Sequence, residues 1–140
     1  MTTRPGTLAA PVLRVELGCD FNQVRPVAER VQSFLREQGC AEAARVDCEL
    51  VLVEGCNNAI KHSQPLAAQQ TIVVEAVVDP EQIELRITDY GPGFTWPETT
   101  HLPDPEEESG RGLYLMRRLT DYAAYFRRAK CNVLVLRKKR

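Results

Sequence analysis

The sequence has no paired cysteine motif. Its five cysteines are an odd number, and no two of them form a Cys-x-x-Cys pair. That usage suits neither a disulfide framework nor a zinc site, so we expect reduced thiols in a cytoplasmic protein.

Long hydrophobic runs are also missing. No segment approaches the roughly 18 apolar residues of a membrane span, and the N-terminus has no signal-peptide pattern. We therefore expect a chain that is neither exported nor anchored.

An excess of charge of one sign is missing as well. The 18 basic and 19 acidic residues leave a formal net charge of −1, so no global positive field attracts nucleic acid or a membrane surface. We expect neither among the partners. The local exception is the basic run at 137–140, which is predicted to be a solvated tail, with nucleic-acid binding as the alternative.

The residues that are present fit one globular domain. Apolar residues make up 44% and charged residues 26% of the 140-residue chain. Residues 1–11 have no periodicity and are expected to form a loose leader. The following pattern predicts an α/β fold in which helices cover one face of an antiparallel or mixed sheet. The predicted elements are strands at 12–17, 71–78, 82–88, 124–128 and 132–137, and helices at 22–39, 42–63 and about 112–122.

Polar residues recur at helical spacing within the predicted helix 42–63. Glu54, Asn58 and His62 follow one another every four residues and therefore share one stripe. A carboxylate, a carboxamide and an imidazole could supply a proton acceptor, an oxygen ligand for a hard cation and a phosphate contact. The alternative is a solvated polar face. The core-facing side of the helix is predicted to consist of Val46, Leu50, Val53 and Ile60.

A second pattern follows the predicted strand 82–88. Asp89 ends the strand, and Gly91 and Gly93 come directly after it. A buried carboxylate needs a hydrogen-bond donor, which the exocyclic amine of adenine could supply, and glycines let a flat ring approach the backbone. An ordinary turn at the end of a strand is the alternative.

A third pattern opens the predicted helix near residue 112. Gly110, Arg111 and Gly112 place free backbone N–H groups and a cation where phosphate oxygens could bind. The pattern is neither a Walker loop nor a Rossmann fingerprint. Between it and the second pattern, residues 91–110 have no periodicity. A loop of that length is usually either a functional lid or disordered.

In succession, the patterns E-x-x-x-N-x-x-x-H, D-x-G-x-G-F and S-G-x-G-L-x-L-M resemble the three ATP-binding boxes of the GHKL superfamily of gyrases, histidine kinases and MutL. The resemblance spans about residues 49–120. The helix segment 53–62 is similar to that of the RsbW and SpoIIAB anti-sigma-factor serine kinases. The resemblance implies a Bergerat-type two-layer sandwich, with a mixed, mostly antiparallel sheet covered on one face by about three helices, as one domain over residues 1–140.

The resemblance also implies roles for the residues of the three patterns. Glu54 would be the general base, Asn58 would bind Mg²⁺ and the nucleotide, and His62 would contact the nucleotide. Asp89 would accept a hydrogen bond from the adenine amine. Residues 95–109 would form the ATP lid. The remaining nucleotide-binding residues would be Gly91, Gly93, Gly110, Arg111 and Gly112.

One position departs from the family pattern. Relatives often carry an arginine just before the third box, where this chain has Glu108. Arg111 could replace that arginine at the terminal phosphate. Without such a replacement, the acidic run at 106–108 would repel a polyphosphate unless it turned outward.

The resemblance implies an ATP- and Mg²⁺-dependent serine/threonine kinase of a partner-switching system. Its partners would be a STAS-domain anti-anti-sigma protein and a sigma factor or other regulatory target. A homodimer is also expected, with the strand 12–17 as a candidate exposed edge. The alternative is a nucleotide-gated binding module that switches partners without phosphotransfer. Glu54 favours the enzyme, and Glu108 favours the module.

Overall fold

The computed structural model describes residues 10–63, 71–97 and 111–140. The predicted leader therefore lies outside the described residues except at its last two positions. The described residues form five strands and three α-helices, with a short 3₁₀ turn at Phe21–Gln23. In chain order they are β1 Val12–Gly18, α1 Val24–Glu37, α2 Glu42–Ser63, β2 Thr71–Val78, β3 Gln82–Asp89, α3 Arg111–Leu119, β4 Tyr122–Arg127 and β5 Asn132–Lys139.

The strands form one antiparallel sheet in the order β1-β2-β3-β5-β4. The three helices pack on one face of this sheet, with α2 between α1 and α3 and against β3. Alternate strand residues such as Val74, Ile87 and Leu134 form the core between the layers. The structure thus confirms the predicted two-layer α/β sandwich, with every described strand pair antiparallel.

The buried face of α2 differs from the predicted one. Val46 and Leu50 are 52% and 48% exposed, so they do not belong to the core. The helix is apolar on both sides, and small residues select the side that meets the sheet. A Cβ on Gly55 would lie only 2.4 Å from Cδ1 of Ile87, which shows how closely the helix approaches. The buried residues of α2 are Ala44, Cys48, Val51, Leu52, Gly55, Cys56, Ala59, Ile60 and Ser63.

The predicted basic tail is also wrong. Strand β5 continues to Lys139, and its charged residues are anchored on both faces of the sheet. Arg137 Nε bonds Glu84 Oε1 at 2.8 Å, and Lys138 Nζ lies 2.9 Å from Asp47 Oδ2. A strand can therefore continue through successive basic residues when a carboxylate pairs with them on each face of the sheet.

Most other boundaries lie within two residues of the predicted ones, apart from the third helix. It spans Arg111–Leu119 and ends before Thr120, because β4 already begins at Tyr122. The five cysteines are free thiols, as expected. Among the described residues, no helix is long and apolar enough to cross a membrane.

Candidate functional site

The structure brings the first and third sequence patterns together. A cavity of about 590 Å³ lies between the C-terminal half of α2 and the first turn of α3. A Cβ on Gly112 would lie 2.7 Å from Glu54 Oε2, so the start of α3 touches that carboxylate. Free N–H groups at a helix start favour anions. The polar lining consists of Glu54, Asn58, Lys61, His62, Thr95 and Arg111, and Gly112 also borders the cavity.

Asp89 lies at the buried end of β3, and its carboxylate is held in one orientation. Oδ1 accepts hydrogen bonds from the Gly91 N–H and from Asn132 Nδ2, both at 3.0 Å. Asn132 is 3% exposed and also donates to the Gly91 carbonyl at 2.9 Å. Among the described residues, Oδ2 receives no hydrogen bond. One carboxylate oxygen is therefore fixed by the protein, and the other can accept from a ligand.

The two glycines after Asp89 allow close packing that a side chain would block. A Cβ on Gly91 would lie 2.7 Å from the Ser63 Cα, which makes this the meeting point of the turn and the end of α2. Gly93 has a φ of 74°, a left-handed conformation that favours glycine, and a Cβ there would approach Asn132 and Tyr125. The turn is built around the Asp89–Asn132 pair.

Aromatic rings cover the cleft beside Asp89. Phe94 stacks between His62 and Tyr125, with ring centroids 4.5 and 4.4 Å away. The Trp96 ring centroid lies 5.9 Å from that of Tyr125 and 6.3 Å from that of Phe94, and the Arg117 guanidinium lies 4.9 Å from the Trp96 ring centroid. Only about 10 Å³ of open space remains in this cleft, which also reaches Asn58, Ala59, Leu113 and Met116.

The hydroxyl of Tyr125 is buried in this cleft and has no hydrogen-bond partner among the described residues. Burial and the nearby Asp89 charge raise the pKa of Tyr125 to about 12, while the Phe94 backbone and the Arg127 charge act in the opposite direction. A buried hydroxyl without a partner is costly, and such groups often face a ligand. Neither Tyr125 nor Asn132 belongs to a sequence pattern. The signal that could have found Asn132 is its register opposite Asp89 in the β3–β5 pair.

The environment of His62 favours the neutral imidazole. Burial lowers its pKa from the ordinary value of 6.5, and the Lys61 charge lowers it further, while Asp89 acts in the opposite direction. His62 therefore lines the cavity as a neutral ring stacked on Phe94.

Gly110 lies outside the described residues, as do Glu108 and positions 98–109 of the predicted lid. The other eight candidate residues surround one continuous region, from Asp89 to the start of α3. No group of three or more His, Cys, Asp or Glu side chains in the described part of the chain could hold a metal ion. A metal ion bound by Asn58 would therefore need further oxygen ligands from a nucleotide.

A family model described as the histidine kinase-like ATPase domain matches residues 19–138. The match covers most of the chain, and the protein therefore belongs to this family of GHKL-type ATPases. No curated protein matches the chain significantly.

Solved structures share the fold. The RsbU and RsbW domains of Rv1364c from Mycobacterium tuberculosis align with a TM-score of 0.70 at 20% identity, over 93% of this chain and 33% of that one. The chain thus spans about a third of that protein. The catalytic domain of histidine kinase ThkA gives 0.54 at 16% identity, over 91% and 95%. Histidine kinase AdeS from Acinetobacter baumannii gives 0.53 at 18%, over 96% and 70%. These likenesses show the fold, including its resemblance to RsbW.

Proposed function

We propose that this GHKL domain is an ATP- and Mg²⁺-dependent serine/threonine kinase of a partner-switching system. The observation that carries the proposal is the half-satisfied Asp89 carboxylate at one end of a region whose other end is the cavity lined by Glu54, Asn58 and Arg111. A purine amine could donate to the Asp89 carboxylate at one end, and a polyphosphate could bind in the cavity at the other end.

The chemistry of the described residues suits Mg-ATP once the aromatic cluster beside Asp89 has moved aside. Asp89 Oδ2 would accept from the adenine amine, and the Tyr125 hydroxyl offers a second polar contact in the same cleft. The first turn of α3 and Arg111 would bind phosphate oxygens, and Asn58 would hold Mg²⁺. The metal would neutralise charge on the transferred phosphoryl group, and the protein would supply orientation.

Glu54 is the candidate general base for the acceptor hydroxyl. It lies on α2 one turn before Asn58, and its carboxylate touches the start of α3. A correctly placed base contributes typically 10²- to 10⁴-fold to such transfer.

The protein substrate we propose is a STAS-domain anti-anti-sigma factor, and the second partner is a sigma factor or other regulatory target. The family membership and the RsbW-like fold support this choice. Residues 95–109 would act as the ATP lid that couples nucleotide binding to partner choice. The exposed Val46 and Leu50 leave an apolar strip on α2 for such a partner.

The alternative is a nucleotide-gated binding module without phosphotransfer. The acidic run that includes Glu108 favours it, because three carboxylates near the third pattern would oppose a γ-phosphate.

An assay with labelled ATP distinguishes the kinase from the binding module without phosphotransfer. The kinase predicts transfer of the γ-phosphate to a serine or threonine of a cognate STAS protein. Glu54→Gln should remove most transfer while nucleotide affinity stays nearly unchanged, whereas Asn58→Ala should lose the Mg²⁺-dependent part of that affinity. Binding of ATP with partner exchange and no transfer would establish the module. Absence of any adenine-nucleotide binding would reject both.

A further inference from the structure

The sheet face turned away from the helices carries an exposed aromatic groove at its β4–β5 end. Tyr122 and Phe126 are 39% and 38% exposed, and on β5 Val133 lies opposite Phe126 and Val135 lies opposite Ala124. These side chains line a groove of about 290 Å³. We name it the β4–β5 groove. It lies on the opposite face from the nucleotide region and is not needed for the proposed kinase activity.

The charge of this part of the chain differs from the rest. Residues 122–140 contain seven Lys or Arg and no Asp or Glu. The other 121 residues carry 11 basic and 19 acidic side chains. The near-neutral total therefore hides a basic β4–β5 hairpin on an acidic body.

Three arginines border the β4–β5 groove: Arg86, Arg128 and Arg137. Glu84 is the shared partner of two of them, at 2.6 Å from Arg86 and 2.8 Å from Arg137. Within the described part of the chain, Arg128 forms no ion pair with a carboxylate, and its guanidinium lies 5.6 Å from the Phe126 ring centroid. One carboxylate for three guanidiniums leaves the rim positively charged.

We propose that the β4–β5 groove docks a partner protein through a short acidic segment that also carries an aromatic or aliphatic side chain. The apolar side chain would fill the space between Tyr122 and Phe126, and carboxylates would bind Arg128 and the free edges of the other two guanidiniums. Charge-assisted pairs beside a desolvated apolar contact are typical of such recognition.

Nucleic acid fits this groove less well. Base stacking needs an open ring face, but Arg137 lies 4.5 Å from the Tyr122 ring centroid and Arg128 already contacts the Phe126 ring. A second copy of the chain fits poorly too. A two-fold interface here would bring two sets of three arginines together, and juxtaposed like charges are unfavourable.

The test uses the full chain and a short fluorescein-labelled peptide in which Glu alternates with Phe and Leu. We expect saturable binding by anisotropy, with ¹⁵N amide shifts concentrated in β4 and β5. Arg128→Glu should weaken binding at least about tenfold, the equivalent of one well-placed charge pair. Arg128→Lys should retain most affinity. Phe126→Ser tests the apolar contact and should also weaken binding. The matched control is Arg30→Glu on exposed α1, which makes the same change in net charge and should alter affinity by less than about twofold.

Several results would overturn the proposal. Equal loss in the Arg128→Glu and Arg30→Glu variants would mean that only net charge acts. Equal binding of a peptide with Lys in place of Glu would indicate unspecific apolar adhesion. Tighter, Arg128-dependent binding of an oligothymidylate would identify a nucleic-acid site. Concentration-dependent amide shifts at β4–β5 without peptide would identify a contact between copies of the chain. As a control, unchanged ADP affinity in all three groove variants shows that their fold and nucleotide region are intact.

Discussion

At the residue scale, Asn132 fixes the orientation of the Asp89 carboxylate, on which the proposed preference for adenine depends. Asn132 holds one oxygen of the carboxylate and also fixes the Gly91 carbonyl, so the second oxygen has a defined direction. A guanine ring would present a carbonyl at the place where adenine presents an amine. Two acceptors would then face each other, which costs about 1–3 kcal/mol in a buried site.

Replacing Asn132 with leucine keeps the volume but removes both hydrogen bonds. We expect ADP to bind about tenfold more weakly, and the preference for ADP over GDP to shrink, because the carboxylate is no longer oriented. Isothermal calorimetry with both nucleotides measures this. Thermal unfolding separates a specific effect from loss of the fold. Unchanged preference in a folded Asn132→Leu variant would contradict the positioning role.

His62 makes the stability of the protein depend on pH in a definite direction. Its folded-state pKa lies below 6.5, so between the two pKa values the unfolded chain binds more protons than the folded one. The stabilisation is present above pH 6.5 and is lost as the pH falls below it. We expect urea midpoints at pH 5.5 and 7.5 to differ less in His62→Gln than in the parent protein. An equal difference in both would assign the pH dependence to other groups.

At the scale of elements, the segment after β3 closes the cleft that adenine would need. Phe94 and Trp96 pack on Tyr125, and about 10 Å³ of space remains beside Asp89. That is roughly the volume of one water molecule and far less than a purine. An adenine bound beside Asp89, as we propose, would have to displace this aromatic cluster, and part of the binding energy would be used for that rearrangement.

Trp96 is the single tryptophan of the chain and reports this displacement directly. We expect its emission to change when Mg-ADP binds, because the ring leaves Tyr125 and the Arg117 guanidinium. Trp96→Phe should remove the signal while calorimetry still detects binding. Binding confirmed by calorimetry in the parent protein without any change in Trp96 emission would show that the cluster stays closed.

At the scale of the whole molecule, the sheet has two ends, and β1 and β4 lie at them. An unpaired edge invites pairing with another chain, although charged residues oppose it. On β1, Arg14 and Glu16 pair with each other at 2.8 Å, so their charges are neutralised locally. This leaves the β1 edge available for a second copy.

We therefore predict a homodimer through the β1 edge. Sedimentation equilibrium at micromolar concentration should give twice the 15.8 kDa chain mass. Glu16→Pro should lower the dimer fraction, because the register with β2 turns the Glu16 backbone N–H toward the free edge and proline removes that donor. A monomer at all concentrations would contradict the prediction. A dimer that tolerates Glu16→Pro would place the contact elsewhere.

The sequence by itself determined the elements and the polar stripe of α2. The apolar periodicity predicted a helix at about 42–63, and α2 spans Glu42–Ser63. The bounds were predictable because Pro65 stops the helix and no glycine-proline break interrupts it. Glu54, Asn58 and His62 followed at once, since spacing along a helix fixes which side chains share a face. The turn after Asp89 could be predicted for the same reason, because its geometry depends on residues that are neighbours in the sequence.

Only the tertiary structure decided which apolar side of α2 meets the sheet. Periodicity offers two such sides, and the small residues around Gly55 let just one approach the strands. Asn132 and Tyr125 were likewise invisible in the sequence, because they reach Asp89 and Phe94 across strand pairs formed by distant segments. Strand pairing depends on contacts between residues far apart in the chain, and no local pattern encodes it.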